Sequence, residues 1–139
     1  MKNRTLLSVL LFTLISCFSA LAASETYFIH NDHLGTAQFI TDANEQVVWA
    51  QHQSAFGEAS VDQDPDSDGN VFTFNMRLPG QYFDAESNLH YNYFRDYDPE
   101  TGRYIQGDPI GLLAGWNTYS YVGANPILYT DINGLIRNK

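Results

Sequence analysis

The run Asp64-Pro65-Asp66-Ser67-Asp68-Gly69-Asn70 carries the plainest chemistry in the sequence. Alternating carboxylates can converge on one hard cation, and a glycine supplies the sharp turn that such a loop needs. The spacing predicts a weak Ca2+ site built from Asp64, Asp66, Asp68 and Asn70. An EF-hand would add a bidentate Glu at loop position twelve. That position is Asn75 here, so a full EF-hand is not supported. Without an ion the same loop is a solvated acidic turn, and the sequence leaves both alternatives open. His30, His33, His52 and His90 lack the short spacing of a metal-binding pair, and they are expected as ordinary strand or turn histidines. No Gly-rich phosphate loop opens a helix, and no nucleophile elbow is present. No cofactor other than Ca2+ is expected.

The elements that must position these residues belong to a small, acidic chain. Its 139 residues allow one small domain once a leader is removed. The formal net charge is −9, and Lys2, Arg4, Arg137 and Lys139 place much of the positive charge at the two ends. An acidic middle repels phosphate backbones and anionic bilayers, which excludes nucleic-acid binding and favours cations or basic partners. Nine Tyr, nine Phe and two Trp provide too much apolar surface for a disordered acidic tail. Aromatic and β-branched residues suit pleated, half-buried surfaces, so the composition points to β structure.

Residues 1–23 read as a signal peptide. Lys2 and Arg4 precede the apolar run Leu6–Phe18, and Ala20-Leu21-Ala22 forms a small-x-small cleavage site. This predicts export across the bacterial inner membrane, to the periplasm or beyond. The alternatives are an uncleaved signal anchor and a lipoprotein modified at Cys17, within Leu14-Ile15-Ser16-Cys17. Under simple cleavage the mature chain, 24–139, holds no cysteine and no membrane attachment.

Three blocks follow. Thr26–Asn31, Ala37–Thr41 and Val47–Gln53 are expected strands of a three-stranded meander, joined by turns at Asp32–Gly35 and Asp42–Glu45. A polar loop at 61–70 comes next. Beyond it, Asp84-Ala85-Glu86-Ser87-Asn88 is echoed by Asp98-Pro99-Glu100-Thr101-Gly102. Each echo predicts a turn whose last residue adopts positive φ. Leu89–Tyr97 is expected as one shared strand, with Leu89, Tyr91, Tyr93, Arg95 and Tyr97 on a buried face and Arg95 stacked among the rings. Trp49 and Trp116 are expected as packing anchors. The fold class is mainly β, an antiparallel meander followed by an irregular C-terminal segment.

An ordered series of short motifs is recognisable at this point. Asn31-Asp-His-Leu-Gly-Thr36, Phe56-Gly57, Arg77-Leu-Pro-Gly-Gln-Tyr82, Tyr91-Asn92 and Arg95-Asp-Tyr-Asp-Pro99 lead it. Gly102-Arg-Tyr104, Asp108-Pro-Ile-Gly-Leu112 and Asn125-Pro126 continue it. Together they resemble the Rhs repeat-associated core region, at the C-terminal end of Rhs/YD-repeat proteins, over nearly all of residues 27–135. The resemblance implies β-hairpins of YD-repeat type. In the family these wind into a spiral sheet that closes a hollow shell, with the core region plugging its end. A variable toxin follows and is held inside, and an aspartyl self-cleavage at a closing Asp-Pro-x-Gly-Leu motif frees it. Members take part in bacterial competition or insecticidal toxin delivery.

By that resemblance Asp108 and Asp131 are the candidate catalytic pair, and Leu135–Ile136 is the bond cut. Two nearby carboxylates that share a proton can activate water with one group and polarise a carbonyl with the other. The alternative is that both aspartates only cap turns. The closing motif Asp131-Ile132-Asn133-Gly134-Leu135 has Ile where the family has Pro, which frees φ just before the cleavage point. No long repeat array precedes the core-like region, and Ile136–Lys139 alone follows it, so no toxin is expected. Three functions follow. The first is a structural or interaction piece, which either docks on another Rhs/YD-repeat protein through a sheet edge or is the product of a decaying gene fragment. The second is a self-cleaving aspartic domain, and the third is a calcium-dependent surface module.

Overall fold

Asp-led turns set the frame of this chain. In the computed structural model, which describes residues 24–139, an Asp opens each of four hairpin turns and accepts from the N–H two residues on. The donors to Asp32, Asp42, Asp84 and Asp98 are Leu34 and Asn44 at 2.9 Å, and Glu86 and Glu100 at 3.0 Å. Gly35, Glu45, Asn88 and Gly102 supply the positive φ that reverses the chain. The echo between the last two turns extends to side chains, since Ser87 and Thr101 donate their hydroxyls to Asp84 and Asp98, each at 2.6 Å.

The turns link two antiparallel four-stranded sheets, each in sequence order. The first holds β1 (Phe28–Asn31), β2 (Ala37–Thr41), β3 (Val47–Gln53) and β4 (Ala59–Asp62). The second holds β5 (Tyr82–Asp84), β6 (Leu89–Asn92), β7 (Arg95–Asp98) and β8 (Arg103–Tyr104). After β8 the chain is irregular. It makes short 3-10 turns at Gly111–Leu113 and Val122–Ala124, with isolated pairings of Arg103 to Ser120 and Thr130 to Asn138. Among the described residues no helix is long and apolar enough to cross a membrane. The expected signal peptide and Cys17 lie outside the described residues.

Two expectations about strands need correction. The first meander has a fourth strand, because Ala59–Asp62 pairs with β3 in the register Ala50 to Asp62 through Gln53 to Ala59. Leu89–Tyr97 is not one strand. It folds back at Tyr93 and Phe94, so that Asn92 faces Arg95 and His90 faces Tyr97. Tyr93 has φ 56 while Phe94 keeps negative φ, the pattern of a type II′ turn. The reversal inverts the expected faces of β6 and leaves those of β7 as expected. His90, Asn92, Arg95 and Tyr97 are buried, and Tyr91 and Tyr93 are exposed.

Each sheet has its own small core. Ala37, Ile40 and Trp49 pack with Val48, Val61, Phe72 and Phe74 on the first. Leu78, Tyr97, Tyr104, Tyr121 and Val122 pack with Tyr129 on the second. The turn at Phe56 and Gly57 joins them: Tyr97 donates its hydroxyl to Phe56 O at 2.6 Å, and Gly57 lies against the Leu78 side chain. Trp49 is the expected anchor, fully buried. Trp116 is not an anchor, since it is 98% exposed on the tip after the first 3-10 turn.

Candidate functional site

Arg95 opens β7 immediately after the tight turn, which aims its side chain inward rather than along the surface. Its Nη2 meets Asp108 Oδ2 at 2.8 Å and Asp131 Oδ2 at 3.4 Å, and all three side chains are almost wholly buried. Nε donates to Gly134 O, and Nη1 donates to Thr118 O at 2.9 Å. The guanidinium plane covers the Tyr104 ring, with Cζ 3.6 Å from its centroid. A planar fork with five donors can meet two carboxylates and two carbonyls at once, which a lysine cannot.

Asp131 is surrounded by donors. Its Oδ1 accepts from Gly134 N at 2.9 Å and Leu135 N at 3.1 Å, and Oδ2 accepts from the Tyr104 hydroxyl at 2.9 Å. Burial, then the charge of Asp131 and the hydrogen bond to it, raise the Tyr104 pKa well above the ordinary phenol value, so Tyr104 remains the donor. Asn92 completes the ring, donating Nδ2 to Tyr104 Oη at 2.7 Å and to Asp131 O at 2.9 Å. Asp108 caps its own turn through Ile110 N at 3.0 Å while reaching Arg95. Each aspartate thus caps a turn, and the fold also brings the two together. One guanidinium nitrogen, Arg95 Nη2, meets an oxygen of both carboxylates and ties them together.

Two glycines let the closing segment lie this deep. A Cβ on Gly80, which has φ +89, would stand 2.1 Å from Ile132 O. A Cβ on Gly134, which has φ +74, would stand 2.5 Å from Asn92 O. Phe94 N also donates to Asn133 O at 3.2 Å. The segment at 131–135 is therefore clamped between the Leu78–Gln81 turn and the β6–β7 turn. The Asp131 side chain, accepting from Gly134 N and Leu135 N, gives the turn its shape without a proline at position 132. A cleft of about 320 Å³ opens beside it, lined in part by Arg95, Asp108, Asp131, Leu135 and Arg137. Sequence reasoning placed Arg95 among rings but missed its bridging role, and it missed Tyr104 and Asn92. The available signal was an arginine on a strand otherwise rich in aromatics.

The acidic loop lies elsewhere, after β4. Asp64, Asp66 and Asp68 each offer an oxygen, all within 4.8 Å of one another. Partial desolvation, the Asp68 charge and a hydrogen bond with Asp64 raise the pKa of Asp66. Asp64 accepts from Asp68 N at 3.1 Å and Gly69 N at 3.2 Å, which curls the loop. Asn70 turns its Nδ2 to Asp68 Oδ2 at 2.7 Å, so its own oxygen or carbonyl would have to serve as the ligand. Asn75 is engaged away from the loop, with Tyr82 Oη at 3.2 Å and Phe83 N at 2.7 Å. The three carboxylates fit one hard cation, with the rest of its shell left to water.

Comparison with known proteins agrees with this architecture. The profile of the family described as RHS protein matches residues 26–63. YibJ of Escherichia coli K12 is 38% identical over 114 residues, which is 82% of this chain and 47% of that protein. Double-stranded DNA deaminase toxin A of Burkholderia cenocepacia is 38% identical over 117 residues, 84% of this chain and 8% of that one. Toxin protein Tse5 of Pseudomonas aeruginosa is 38% identical over 120 residues, 86% of this chain and 9% of that one. The chain thus spans under half of the first relative and under a tenth of the two toxins. Among solved structures, TcdB2-TccC3 without its hypervariable C-terminal region superposes with a TM-score of 0.71 at 24% identity. That match covers 84% of this chain and 5% of the other, and it supports the fold alone.

Proposed function

We propose, on the premise that this chain belongs to the Rhs family, that it serves as an end piece for a larger Rhs/YD-repeat sheet and docks on it through β1. The observation that carries this is the state of β1. It is an outer strand, all four of its residues are exposed, and Phe28 and Ile29 present apolar side chains to solvent. An unprotected apolar edge is a template for strand addition, and a long repeat sheet offers the complementary strand. Export by the leader would bring the chain to such a partner outside the cytoplasm. The test is binding to an Rhs repeat array from which its own core region has been deleted. The doubly substituted Phe28→Lys, Ile29→Lys chain should fold normally and lose binding. Equal binding by both chains would refute edge docking.

A second reading has its own support. Asp131 holds the N–H groups of Gly134 and Leu135, and both aspartates line the cleft beside Leu135. Hydrolysis after Leu135 would add water across the Leu135–Ile136 amide. One aspartate, ionised, takes a proton from the attacking water, and the other, protonated, donates its proton to the carbonyl oxygen. The first then passes its proton to the amide nitrogen as the C–N bond breaks and the second recovers its own, leaving a carboxyl group on Leu135 and an amine on Ile136. Arg95 would hold both acids in place and orient the Gly134 carbonyl. Intact-mass measurement under denaturing conditions decides the matter. Loss of residues 136–139 that is abolished in Asp131→Asn and Asp108→Asn supports cleavage, and a persistently intact chain counts against it.

A further inference from the structure

The segment after Leu135 is held by contacts of its own. Asn138 N donates to Thr130 O at 2.6 Å, and Thr130 N donates to Asn138 O at 3.0 Å. This antiparallel pairing closes 131–137 into a loop, and its neck lies on the far side of the Leu135–Ile136 bond. Asn138 also donates Nδ2 to Ile136 O at 3.0 Å, which stiffens the run between them. Arg137 lies over the Tyr129 ring, with Cζ 5.0 Å from the centroid. Arg137 Nη1 also lies close to Gly123, where a Cβ would stand 3.1 Å from it. The bond is therefore anchored twice. Asp131 holds its upstream side through Leu135 N, while Tyr129, Thr130 and Gly123 hold its downstream side.

We infer that Tyr129, Gly123 and the Thr130 backbone form a peptide-recognition groove that fixes the Leu135–Ile136 bond over Asp108 and Asp131. The groove takes an extended segment with a cation at the second position after the bond. The third position must offer a backbone N–H, so proline is excluded there. Tyr129 and Arg137 are positioning residues, since they touch neither aspartate. The effect on rate rests on the self-cleavage reading, whereas the docking itself does not. Small misplacements of a reacting bond carry large losses of rate, so loosening the downstream anchor should slow cleavage roughly 10- to 100-fold.

One set of samples tests both parts. The intact chain, Arg137→Ala, Arg137→Lys, Tyr129→Leu and Asn138→Pro are followed by denaturing intact mass, and by amide exchange at position 130 and, in all but the proline variant, at position 138. The groove predicts slow cleavage in Arg137→Ala, Tyr129→Leu and Asn138→Pro with unchanged urea midpoints, and recovery in Arg137→Lys. Wild-type rates in Arg137→Ala, Tyr129→Leu and Asn138→Pro would overturn the positioning role while leaving self-cleavage standing. If the wild-type chain never loses residues 136–139, the self-cleavage reading falls. Exchange then decides the groove: protected Thr130 and Asn138 amides that open in Arg137→Ala support it, and free-peptide rates in the wild type overturn it.

Discussion

Replacing Arg95 by methionine should be among the most damaging single changes to this fold. Methionine fills much of the volume but removes the guanidinium that joins Asp108 to Asp131. Both carboxylates remain buried, with side chains 1% and 3% exposed. Removing one partner of a buried ion pair costs about 3–5 kcal/mol, because the other charge is left uncompensated. Here two acids lose their cation, Gly134 O and Thr118 O lose their donors, and Tyr104 loses the guanidinium over its ring. The expected loss is therefore at the upper end, about 5 kcal/mol, a large share of the 5–15 kcal/mol that holds a typical domain. Urea unfolding at neutral pH measures it, with an unchanged m-value as the check that only stability moved. Neutralising the acids in the Arg95→Met, Asp108→Asn, Asp131→Asn chain should recover about half of the loss, because the orphaned charges are gone. A loss under about 1 kcal/mol, or no recovery in the triple variant, would refute the idea that Arg95 compensates buried charge.

Three further outcomes follow from the same geometry. Gly134→Ala and Gly35→Ala share the strain of positive φ, but Gly35 has open space and Gly134 meets Asn92 O, so Gly134→Ala should cost about 1–3 kcal/mol more in denaturant melts. Burial first, and the Arg77 charge second, hold the pKa of His90 at about 4. An unfolded histidine titrates near 6.5, so His90 costs nothing above that pH. Between about pH 6.5 and 4 the unfolded chain binds an extra proton, and stability should fall by up to about 3 kcal/mol. That slope should flatten in His90→Gln, and an identical pH profile would contradict it. If the Asp64–Asp68 loop binds calcium with a millimolar dissociation constant, about 10 mM calcium should stabilise the chain by about 1.4 kcal/mol, or several degrees in a thermal melt. The shift should vanish in Asp66→Asn, Asp68→Asn, and no shift in the parent chain would remove calcium from the account.

The parts legible in the sequence were those encoded locally. The bounds of β2 and β3 follow from an alternating run between two Asp-led turns, and the Asp84 and Asp98 echo gave two turns with matching side-chain bonds. The reversal at Tyr93 was not legible, because its first turn residue is a tyrosine at positive φ and no glycine marks it. Tertiary contact stabilises it instead, through Asn133 O and the close approach of Gly134. Missing that turn misassigned the faces of β6, where His90 and Asn92 are buried and Tyr91 is exposed, while Arg95 and Tyr97 of β7 are buried as expected. The fourth strand was missed because Ala59–Asp62 merges into the acidic loop. The pairing of Asp108 with Asp131 came from a family resemblance, since separation along the chain carries no information about contact in space. The bridging arginine required the reversed strand to be seen.

Amide exchange along β1 tests the central functional claim most directly. The outward-facing amides of Phe28–Asn31 should exchange quickly in the isolated chain and become strongly protected when an Rhs repeat array lacking its core region is added. Protection that appears elsewhere while β1 stays open, or no change anywhere, would contradict docking through this edge.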